Sequence, residues 1–512
     1  MLFNSVEFLF VFLPLVLWLF HLAQTHLSVD AAIKVLVVAS LFFYGWWQPV
    51  YLLLLVSSML LNFYLAKLIY RYRSKALMIL AVVLNLSSIV YYKYANFLVG
   101  NLNLLLQQNW QFEQLLLPLA ISFFTFQQIA YVVDVYRKGE IEHNIMNYML
   151  FVTFFPQLIA GPIVHHGSMM PQFADPNRLG VKATNVAVGI SIFAIGFFKK
   201  TVLADGAAVY ANPLFQAVDA GQLTPGFFEA WGGALAYTGQ LYFDFSGYSD
   251  MALGLGLLFG ISLPLNFNSP YKALSITDFW RRWHMTLSQF LRDYLYIALG
   301  GNRRGKFRRY INLFLTMLLG GLWHGAGWNF LIWGALHGGY LVVNHAFSAV
   351  KTQFVWRLPK GISIVLSWLL TFVAVVVGWV FFRATTLDGA FTILAGMAGL
   401  NGISVPAGIL AQLQFATPLL QLFDVQASQG GGAVLISTWA WSLALLLLAV
   451  SAPNVHDLFY SYLANESRTG KVAPQCRWQW HASKGWALFL AFLLVMGVST
   501  LGQVSEFLYF NF

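Results

Sequence analysis

The feature that most limits the fold of this chain is a close succession of apolar stretches, each about as long as a lipid bilayer is thick. A helix needs about 20 apolar residues to cross the hydrocarbon core, and stretches of about this length follow one another with short polar connections. Only 9% of the residues are charged, against about 25% in soluble proteins. Backbone groups in lipid must be hydrogen-bonded within the chain, which helices achieve. We therefore predict one all-α polytopic membrane domain over residues 1–512.

About a dozen stretches reach roughly this length, and three shorter or proline-interrupted pieces accompany them. The pieces suit re-entrant or half-helices, because irregular backbone at membrane depth is tolerated where protein or a water-filled cavity surrounds it. The long stretches are 1–20, 31–47, 49–69, 76–93, 115–135, 183–203, 228–243, 310–323, 326–347, 362–382, 434–450 and 485–503, and the pieces are 146–163, 251–265 and 391–414.

The basic residues indicate which face of the membrane the loops occupy. Four of them lie in residues 67–75, after the third long stretch, and five lie in residues 302–309. Loops rich in lysine and arginine stay in the cytoplasm. We therefore place both loops there and expect the amino and carboxy termini on the periplasmic side of a bacterial inner membrane.

Charge and cysteine content exclude two classes of function. The net charge of +10 is scattered over short loops rather than gathered in one domain, so nucleic acid is not an expected partner. The single cysteine, Cys476, excludes an intramolecular disulfide and a multi-cysteine metal site. It lies in a polar loop with only His481 near it in sequence, which favours an unreactive surface thiol over a nucleophile.

Residues 240–340 differ from the other apolar stretches because they carry ionisable side chains. Asp244 and Asp250 lie at or near membrane depth, where a charge costs a few kcal/mol or more. Each is either part of a functional site or a hydrogen-bonded carboxylate that orients neighbouring helices.

The segment 277–297 is predicted as one amphipathic helix at the cytoplasmic interface. Thr277 or Asp278 can cap its start. Its apolar stripe contains Trp280, His284, Leu287 and Leu291. His284 therefore points into protein or lipid, where it is either a satisfied core residue or a group near the substrate.

Two histidines stand in a glycine-rich apolar stretch, GGLWHGAGWNFLIWGALHGG, residues 320–339. A charged imidazolium is costly there, so we expect His324 to be neutral, the form that a general base needs. From these residues alone His324 is either such a base or a buried structural ring. His337 would lie about 220° away on an unbroken helix, so the two share a face only if the helix breaks at residues 325–327. We expect His337 to be structural and, without a cluster of further ligands, no zinc site.

Five longer motifs are similar to those of a known family. They are YYKYANF (91–97), PQLIAGPIV (156–164), QLYFDFSGYSDMALGLGLL (240–258), FWRRWHMTLSQFLRDYLYIALGGNRRG (279–305) and NLFLTMLLGGLWHGAGWNFLIWGALHG (312–338). With them the chain resembles the membrane-bound O-acyltransferase superfamily, and within it the branch that O-acetylates bacterial exopolysaccharides such as alginate. The resemblance runs from the first residues to about 384. It implies a core at about 90–384, followed by carboxy-terminal helices and an aromatic tail at 385–512.

The resemblance also implies a fold and site residues. The fold is a ring of about 12 transmembrane helices with re-entrant and interfacial helices, entered by a cytoplasmic and an outer funnel. The catalytic histidine falls on His324 and a second catalytic position on His284. The terminal EFLYFNF (506–512) resembles the aromatic motif of a small subunit of teichoic acid D-alanylation. By this resemblance Tyr509 is an acyl relay, and a plain aromatic anchor at the interface is the alternative.

The implied function is acetyl transfer across the inner membrane to an exopolysaccharide, alginate above all. The donor is a cytoplasmic thioester, acetyl-CoA or another, and no permanently bound cofactor or metal is expected. The expected partners are a periplasmic SGNH-type (Ser-His-Asp) O-acetyltransferase, other subunits of polysaccharide synthesis and membrane lipid. Bacterial cellulose, peptidoglycan or another envelope glycan is the alternative acceptor. The alternative class is a transporter without acyl-transfer chemistry. Such a transporter is expected to contain internal repeats, and we find no repeat in the sequence.

Overall fold

The amino-terminal part is helical and contains short helices as well as long ones. The computed structural model describes residues 1–113, 116–159, 161–351, 359–413, 415, 417–463, 478–502 and 508. The segment 146–163 is interrupted as predicted, because Phe154 breaks the helix two residues before Pro156. The helices here are α1 (Leu13–His26), α2 (Val29–Gly45), α3 (Val50–Tyr72), α4 (Lys75–Ile89), α5 (Ala95–Leu106), α6 (Ile121–Lys138), α7 (Ile145–Thr153), α8 (Phe155–Leu158) and α9 (His166–Ala174), with π-helical turns at Phe8–Phe12 and Val90–Tyr94.

The central part contains the longest helix of the described residues. The helices are α10 (Ala183–Phe198), α11 (Asp205–Asp219), α12 (Phe227–Leu258), α13 (Ile276–Trp280), α14 (Met285–Phe290), α15 (Gly305–His324) and α16 (Trp328–Lys351), with π-helical turns at Lys199–Ala204 and Leu291–Tyr296 and a 3₁₀ turn at Pro270–Lys272. The prediction of a span at 228–243 and a separate piece at 251–265 was wrong, because α12 contains the whole of the first and continues without a break to Leu258 in the second. Ion pairs to Asp244 and Asp250 satisfy the two carboxylates, so neither interrupts the helix.

The prediction of one helix over residues 277–297 was also wrong. The segment divides into α13, α14 and the following π-helical turn, because His284 adopts a left-handed backbone conformation with φ +42°. The cap is Ser275, whose hydroxyl accepts a hydrogen bond from the Asp278 amide, and not Thr277 or Asp278.

The carboxy-terminal part adds two short strands to the predicted all-α fold. Segment 391–414 forms most of α18, then β1 and α19. β1 pairs in parallel with β2, with Ile403 opposite Val425. The elements are α17 (Lys360–Arg383), α18 (Leu387–Met397), β1 (Ile403–Pro406), α19 (Ala407–Leu410), α20 (Thr417–Leu422), β2 (Val425–Ser428), α21 (Gly432–Ser451), α22 (Val455–Leu458), α23 (Tyr460–Leu463) and α24 (Lys484–Ser499).

The protein is a multi-pass membrane protein. Six helical runs in the described residues are long and apolar enough to cross a bilayer: Phe8–His26, Val50–Tyr72, Lys75–Leu106, Ala183–Asp219, Lys360–Arg383 and Gly432–Ser451. Helices α12, α15 and α16 are as long but less apolar. They contain four of the ionisable residues singled out above, Asp244, Asp250, His324 and His337, while His284 lies between α13 and α14.

Candidate active site

His324 is the last residue of α15, and residues 325–327 separate it from α16. The two helices fold back on each other as a hairpin. A Cβ on Gly321 would lie 2.9 Å from the Cα of Gly334, so the backbones approach this closely only because both residues are glycine. The histidine therefore stands at the closed end of a hairpin rather than in the middle of a long helix.

Aromatic rings enclose the imidazole of His324, a residue that is 5% exposed. The ring centroids of Trp323, Phe382 and Trp333 lie 4.8, 5.0 and 5.1 Å from that of His324. Nδ1 of His324 and the indole N–H groups of Trp323 and Trp333 are buried and have no hydrogen-bond partner among the described residues. An unsatisfied buried polar group costs about 1–3 kcal/mol, so these three groups are candidates to contact a substrate.

Lys93 fixes the backbone that carries His324. Its ammonium group donates hydrogen bonds to the carbonyl oxygens of Trp323 and His324, at 2.7 and 2.9 Å. The hydroxyl of the neighbouring Tyr94 donates to the carbonyl oxygen of Leu322. The last carbonyls of a helix lack partners within the helix and carry partial negative charge. A cation there therefore stabilises the end of α15.

His284 is fully buried and is oriented by Asn266. Its Nδ1 lies 3.0 Å from Oδ1 of Asn266, which also accepts the Thr286 hydroxyl at 2.8 Å. The amide oxygen can only accept, so Nδ1 of His284 donates and Nε2 is the acceptor of a neutral ring. His284 has a left-handed backbone conformation, and the amide of the next residue, Met285, donates to the Asn266 carbonyl at 2.9 Å, so Asn266 contacts both the ring and the backbone of this turn.

Trp323 and Trp333 bring all three histidines of this region together. Trp323 lies against His324 and also beside His284, with a centroid distance of 6.3 Å to the latter. Trp333 lies against His324 and against His337, at 4.8 Å from the latter. The helix does break at residues 325–327, the condition under which the two histidines can share a face, and both contact Trp333. His337 accepts a hydrogen bond from the indole of Trp280 through Nδ1, at 3.2 Å.

A cavity of about 480 Å³ opens beside Phe382, one of the rings that contact His324. Its wall is formed by the loop and first turn after His324, by the end of α17 and by one residue of the carboxy-terminal tail. The lining residues are Phe97, Ala326, Gly327, Trp328, Asn329, Phe330, Phe382, Arg383, Ala384, Thr385, Leu387 and Leu508. The volume lies in the range of small-molecule sites, about 300–1,000 Å³.

Two residues singled out by the sequence, Tyr509 and Cys476, lie outside the described residues. Leu508, which directly precedes Tyr509, is described, and it is 2% exposed and lines the cavity.

The two aspartates at membrane depth form ion pairs. Asp244 Oδ1 lies 2.7 Å from Nζ of Lys200, and Asp250 Oδ2 lies 2.6 Å from Nζ of Lys199. Lys200 also pairs with Asp205, at 2.6 Å. Both carboxylates therefore tie α12 to the π-helical turn after α10. In the described part of the chain, no three His, Cys, Asp or Glu side chains lie close enough together to hold a metal ion.

Comparison with known proteins places the chain in a family. The MBOAT, membrane-bound O-acyltransferase family, matches residues 141–383. A protein of Helicobacter pylori named peptidoglycan O-acetyltransferase is 41% identical over 542 aligned residues, covering 100% of this chain and 98% of the relative. A protein of Pseudomonas aeruginosa named "Probable alginate O-acetylase AlgI" is 42% identical over 84% of this chain and 83% of the relative. The chain belongs to the membrane-bound O-acyltransferase family.

This family membership identifies the protein as an acyltransferase. A teichoic acid D-alanyltransferase of Streptococcus thermophilus is a more distant relative, 30% identical over 47% of this chain and 59% of its own length. His324 and His284, the two histidines predicted from the sequence, both lie against Trp323. Lys93 and Asn266 were not predicted as site residues, although Lys93 lies in the motif YYKYANF and Asn266 directly follows the predicted piece 251–265.

Proposed function

We propose that this acyltransferase moves acetyl groups from a cytoplasmic thioester across the inner membrane for O-acetylation of a cell-envelope glycan. The observation that carries the proposal is the position of His324. It is buried at the end of α15, its Nδ1 is unpartnered among the described residues, and Phe382 joins it to the cavity. Relatives named O-acetyltransferase and O-acetylase, at about 40% identity, support acetyl as the group that is transferred.

In the proposed reaction His324 acts as general base. Its unprotonated ring nitrogen removes the proton from an acceptor hydroxyl, and the oxygen attacks the carbonyl carbon of the thioester. The carbon–sulfur bond breaks, and the proton passes to the departing thiolate. A base positioned in this way contributes about 10²–10⁴ in rate. The indole N–H groups of Trp323 and Trp333, whose rings lie against His324, are our candidates to donate to the carbonyl oxygen that becomes negative, a role in which one donor is worth about 10²–10³.

We assign His284 to the donor side of the site. Trp323 stacks on Phe126, with centroids 5.2 Å apart. Phe126 lies twelve residues before Lys138, the basic end of α6, which corresponds to about 18 Å along the helix. This depth suits a thioester that enters from the cytoplasmic face through one funnel and meets the acceptor at mid-membrane. With Nδ1 committed to Asn266, Nε2 of His284 is the atom that faces the thioester or its thiol.

We propose Tyr509 as the group that carries the acetyl outward. Support comes from Leu508, its neighbour in sequence, which lines the cavity beside Phe382. In the proposal the Tyr509 hydroxyl is the acceptor, and a periplasmic transferase of the SGNH type removes the acetyl from it. This route needs a periplasmic carboxy terminus, which the basic loops favour. It also needs the two-funnel ring of about 12 helices that the family resemblance implies.

Alginate is the first candidate for the final acceptor and peptidoglycan the second. The alginate relatives include one that covers 100% of both chains at 36% identity. The peptidoglycan relative covers nearly the same length at 41% identity, which favours peptidoglycan over bacterial cellulose as the second acceptor.

The experiment that tests the proposed function is acetyl transfer by the purified protein in proteoliposomes. With acetyl-CoA labelled in the acetyl group, the wild type is expected to release free thiol and to bind label at Tyr509, seen by mass spectrometry of the carboxy-terminal peptide. Tyr509→Phe is the matched control and should lose the label. Uptake of intact acetyl-CoA without thioester cleavage would instead support a transporter.

A further inference from the structure

His337, in α16, is a buried histidine of this region that the proposed chemistry does not use. It is 0% exposed, and its Nδ1 accepts the indole N–H of Trp280 at 3.2 Å. An indole N–H can only donate, so Nδ1 is the unprotonated nitrogen and Nε2 carries the proton of the neutral ring. The hydrogen bond therefore fixes both the orientation and the tautomer of the imidazole.

The other ring nitrogen of His337 faces protein backbone. A Cβ on Gly378, in α17, would lie 2.8 Å from Nε2, and Nε2 is buried without a hydrogen-bond partner among the described residues. An unsatisfied buried donor lowers stability, a cost that a phenylalanine ring at this place would avoid. What the imidazole adds here is an acceptor for Trp280.

Trp280 belongs to the short helix that leads to His284. α13 has only five residues and ends at Trp280, four positions before His284. A helix this short is not stable alone, so tertiary contacts decide where it lies. Two hydrogen bonds tie it to α16: the one from Trp280 to His337, and one from the Thr277 hydroxyl to Oδ1 of Asn344 at 2.8 Å. The segment that carries His284 is therefore held against α16 in part by His337.

His337 also contacts the ring that lies on His324. The centroid of Trp333, one turn earlier in α16, lies 4.8 Å from that of His337 and 5.1 Å from that of His324. Trp280 meets Trp333 edge-on, with centroids 5.8 Å apart. The rings of Trp280, His337 and Trp333 thus form one packed unit between the turn at His284 and the end of α15.

We propose that His337 is a positioning residue that sets the separation between His284 and His324. It does so through the two tryptophans that it contacts, Trp280 and Trp333. The inference rests on the proposed function, in which His324 is the base and His284 faces the thioester. A displacement of about 1 Å between reacting groups can cost about a hundredfold in rate. Loss of His337 should therefore slow the chemical step without weakening the binding of the donor.

The test is the rate of thiol release from acetyl-CoA by purified full-length protein in proteoliposomes, with kcat and KM measured separately. His337→Phe keeps a ring among the aromatic neighbours but leaves the Trp280 indole without its acceptor. We expect kcat per folded protein to fall by about tenfold to a hundredfold, while KM for acetyl-CoA stays within about threefold of wild type. A residue that only supports the fold would lower the Tm and the yield of folded protein, and would leave the kcat of the folded fraction unchanged.

A double-mutant cycle identifies the hydrogen bond as the cause. Trp280→Phe removes the donor and should lower kcat to a similar extent. When both residues are phenylalanine, neither partner of the hydrogen bond is left unpaired, so kcat should be no lower than in the slower single variant, whereas independent effects would multiply. Thr277→Val is the matched control, because it breaks the other hydrogen bond between α13 and α16. It should keep kcat within about threefold of wild type.

A further variant displaces the ring without removing it. In Gly378→Ala the new Cβ would lie 2.8 Å from Nε2 of His337, so the imidazole has to shift, and a similar fall in kcat is expected. Gly361→Ala, also in α17, meets nothing within 4 Å and should keep the wild-type kcat. A wild-type kcat in His337→Phe, multiplied losses in the double variant, or an equal loss in Thr277→Val would overturn this inference alone. No thiol release by the wild type would overturn the proposed function together with it.

Discussion

At the scale of single residues, the catalytic candidates could be found from sequence, but the residues that hold them could not. His324 and His284 are histidines in apolar surroundings, a combination that is rare enough to attract attention. Lys93 lies in a quoted motif, yet its partners are backbone carbonyls about 230 positions along the chain. The spacing of residues along a short segment cannot predict a contact between residues so far apart in the sequence. Asn266 escaped notice for the same reason, because its contact with His284 depends on a backbone turn that a helical pattern hides.

Lys93→Met is expected to lower the rate of acetyl transfer by about tenfold to a hundredfold, because a small displacement of a catalytic group costs about this much. Lys93→Arg keeps donors for the two carbonyls and should retain activity within about fivefold. Initial rates of thiol release by protein of equal abundance in the membrane provide the measurement. A wild-type rate in Lys93→Met would show that the cap on α15 does not position His324.

At the scale of elements, the existence of most helices could be predicted, while their breaks and continuities could not. Length and apolar character predicted the helices at 183–203 and 362–382, which correspond to α10 with the following turn and to α17. They failed at α12, where paired carboxylates lie inside an unbroken helix. They failed again at His284, where a left-handed residue divides a regular amphipathic pattern. Both failures have one cause, since tertiary partners decide whether a polar residue ends a helix or is buried in it.

The α15–α16 hairpin provides a prediction about glycine. In Gly334→Ala the new Cβ would lie 2.6 Å from the Met317 carbonyl oxygen, which forces the helices apart. We expect a loss of about 1–3 kcal/mol in stability, seen as a lower apparent Tm in detergent, together with reduced acetyl transfer. Gly339→Ala, on the same helix, meets nothing within 4 Å. It should be neutral or stabilising by up to about 1 kcal/mol. Equal effects of the two substitutions would contradict close packing at Gly334.

At the scale of the whole molecule, the structure places the cavity at the end of α15 away from the basic loop 302–309. Thr385, in the cavity wall, donates its amide to Asp219 at the end of α11. The next helix along the chain, α12, follows Gly226, which lies against Ser404 of β1. The strands and the cavity therefore lie on one side. In the part of the chain that the structure describes, six helical runs rather than the expected dozen are long and apolar enough to cross a bilayer, because helices that surround a buried polar site need not be apolar themselves.

This arrangement predicts the sidedness of two exposed positions. In a Cys476→Ser background, Gln426→Cys in β2 should react with an impermeant maleimide in intact cells, whereas Arg304→Cys before α15 should react only after permeabilisation. The reason is that the basic loop is retained in the cytoplasm, while the strands share the side of the cavity. Labelling of Arg304→Cys in intact cells would reverse the orientation and remove the outward route for the acetyl group.

The central claim is that His324 performs acetyl transfer to an envelope glycan. The most direct measurement is the content of ester-linked acetate in the envelope glycans of cells whose own copy is replaced by His324→Ala. His166→Ala is the matched control, because His166 is also buried among aromatic rings, and its ring contacts in the described residues are Tyr131 and Phe151 rather than residues of the site. We predict background acetate for His324→Ala and near wild-type acetate for His166→Ala, with both proteins at normal abundance in the membrane. Wild-type acetate in His324→Ala would contradict the account.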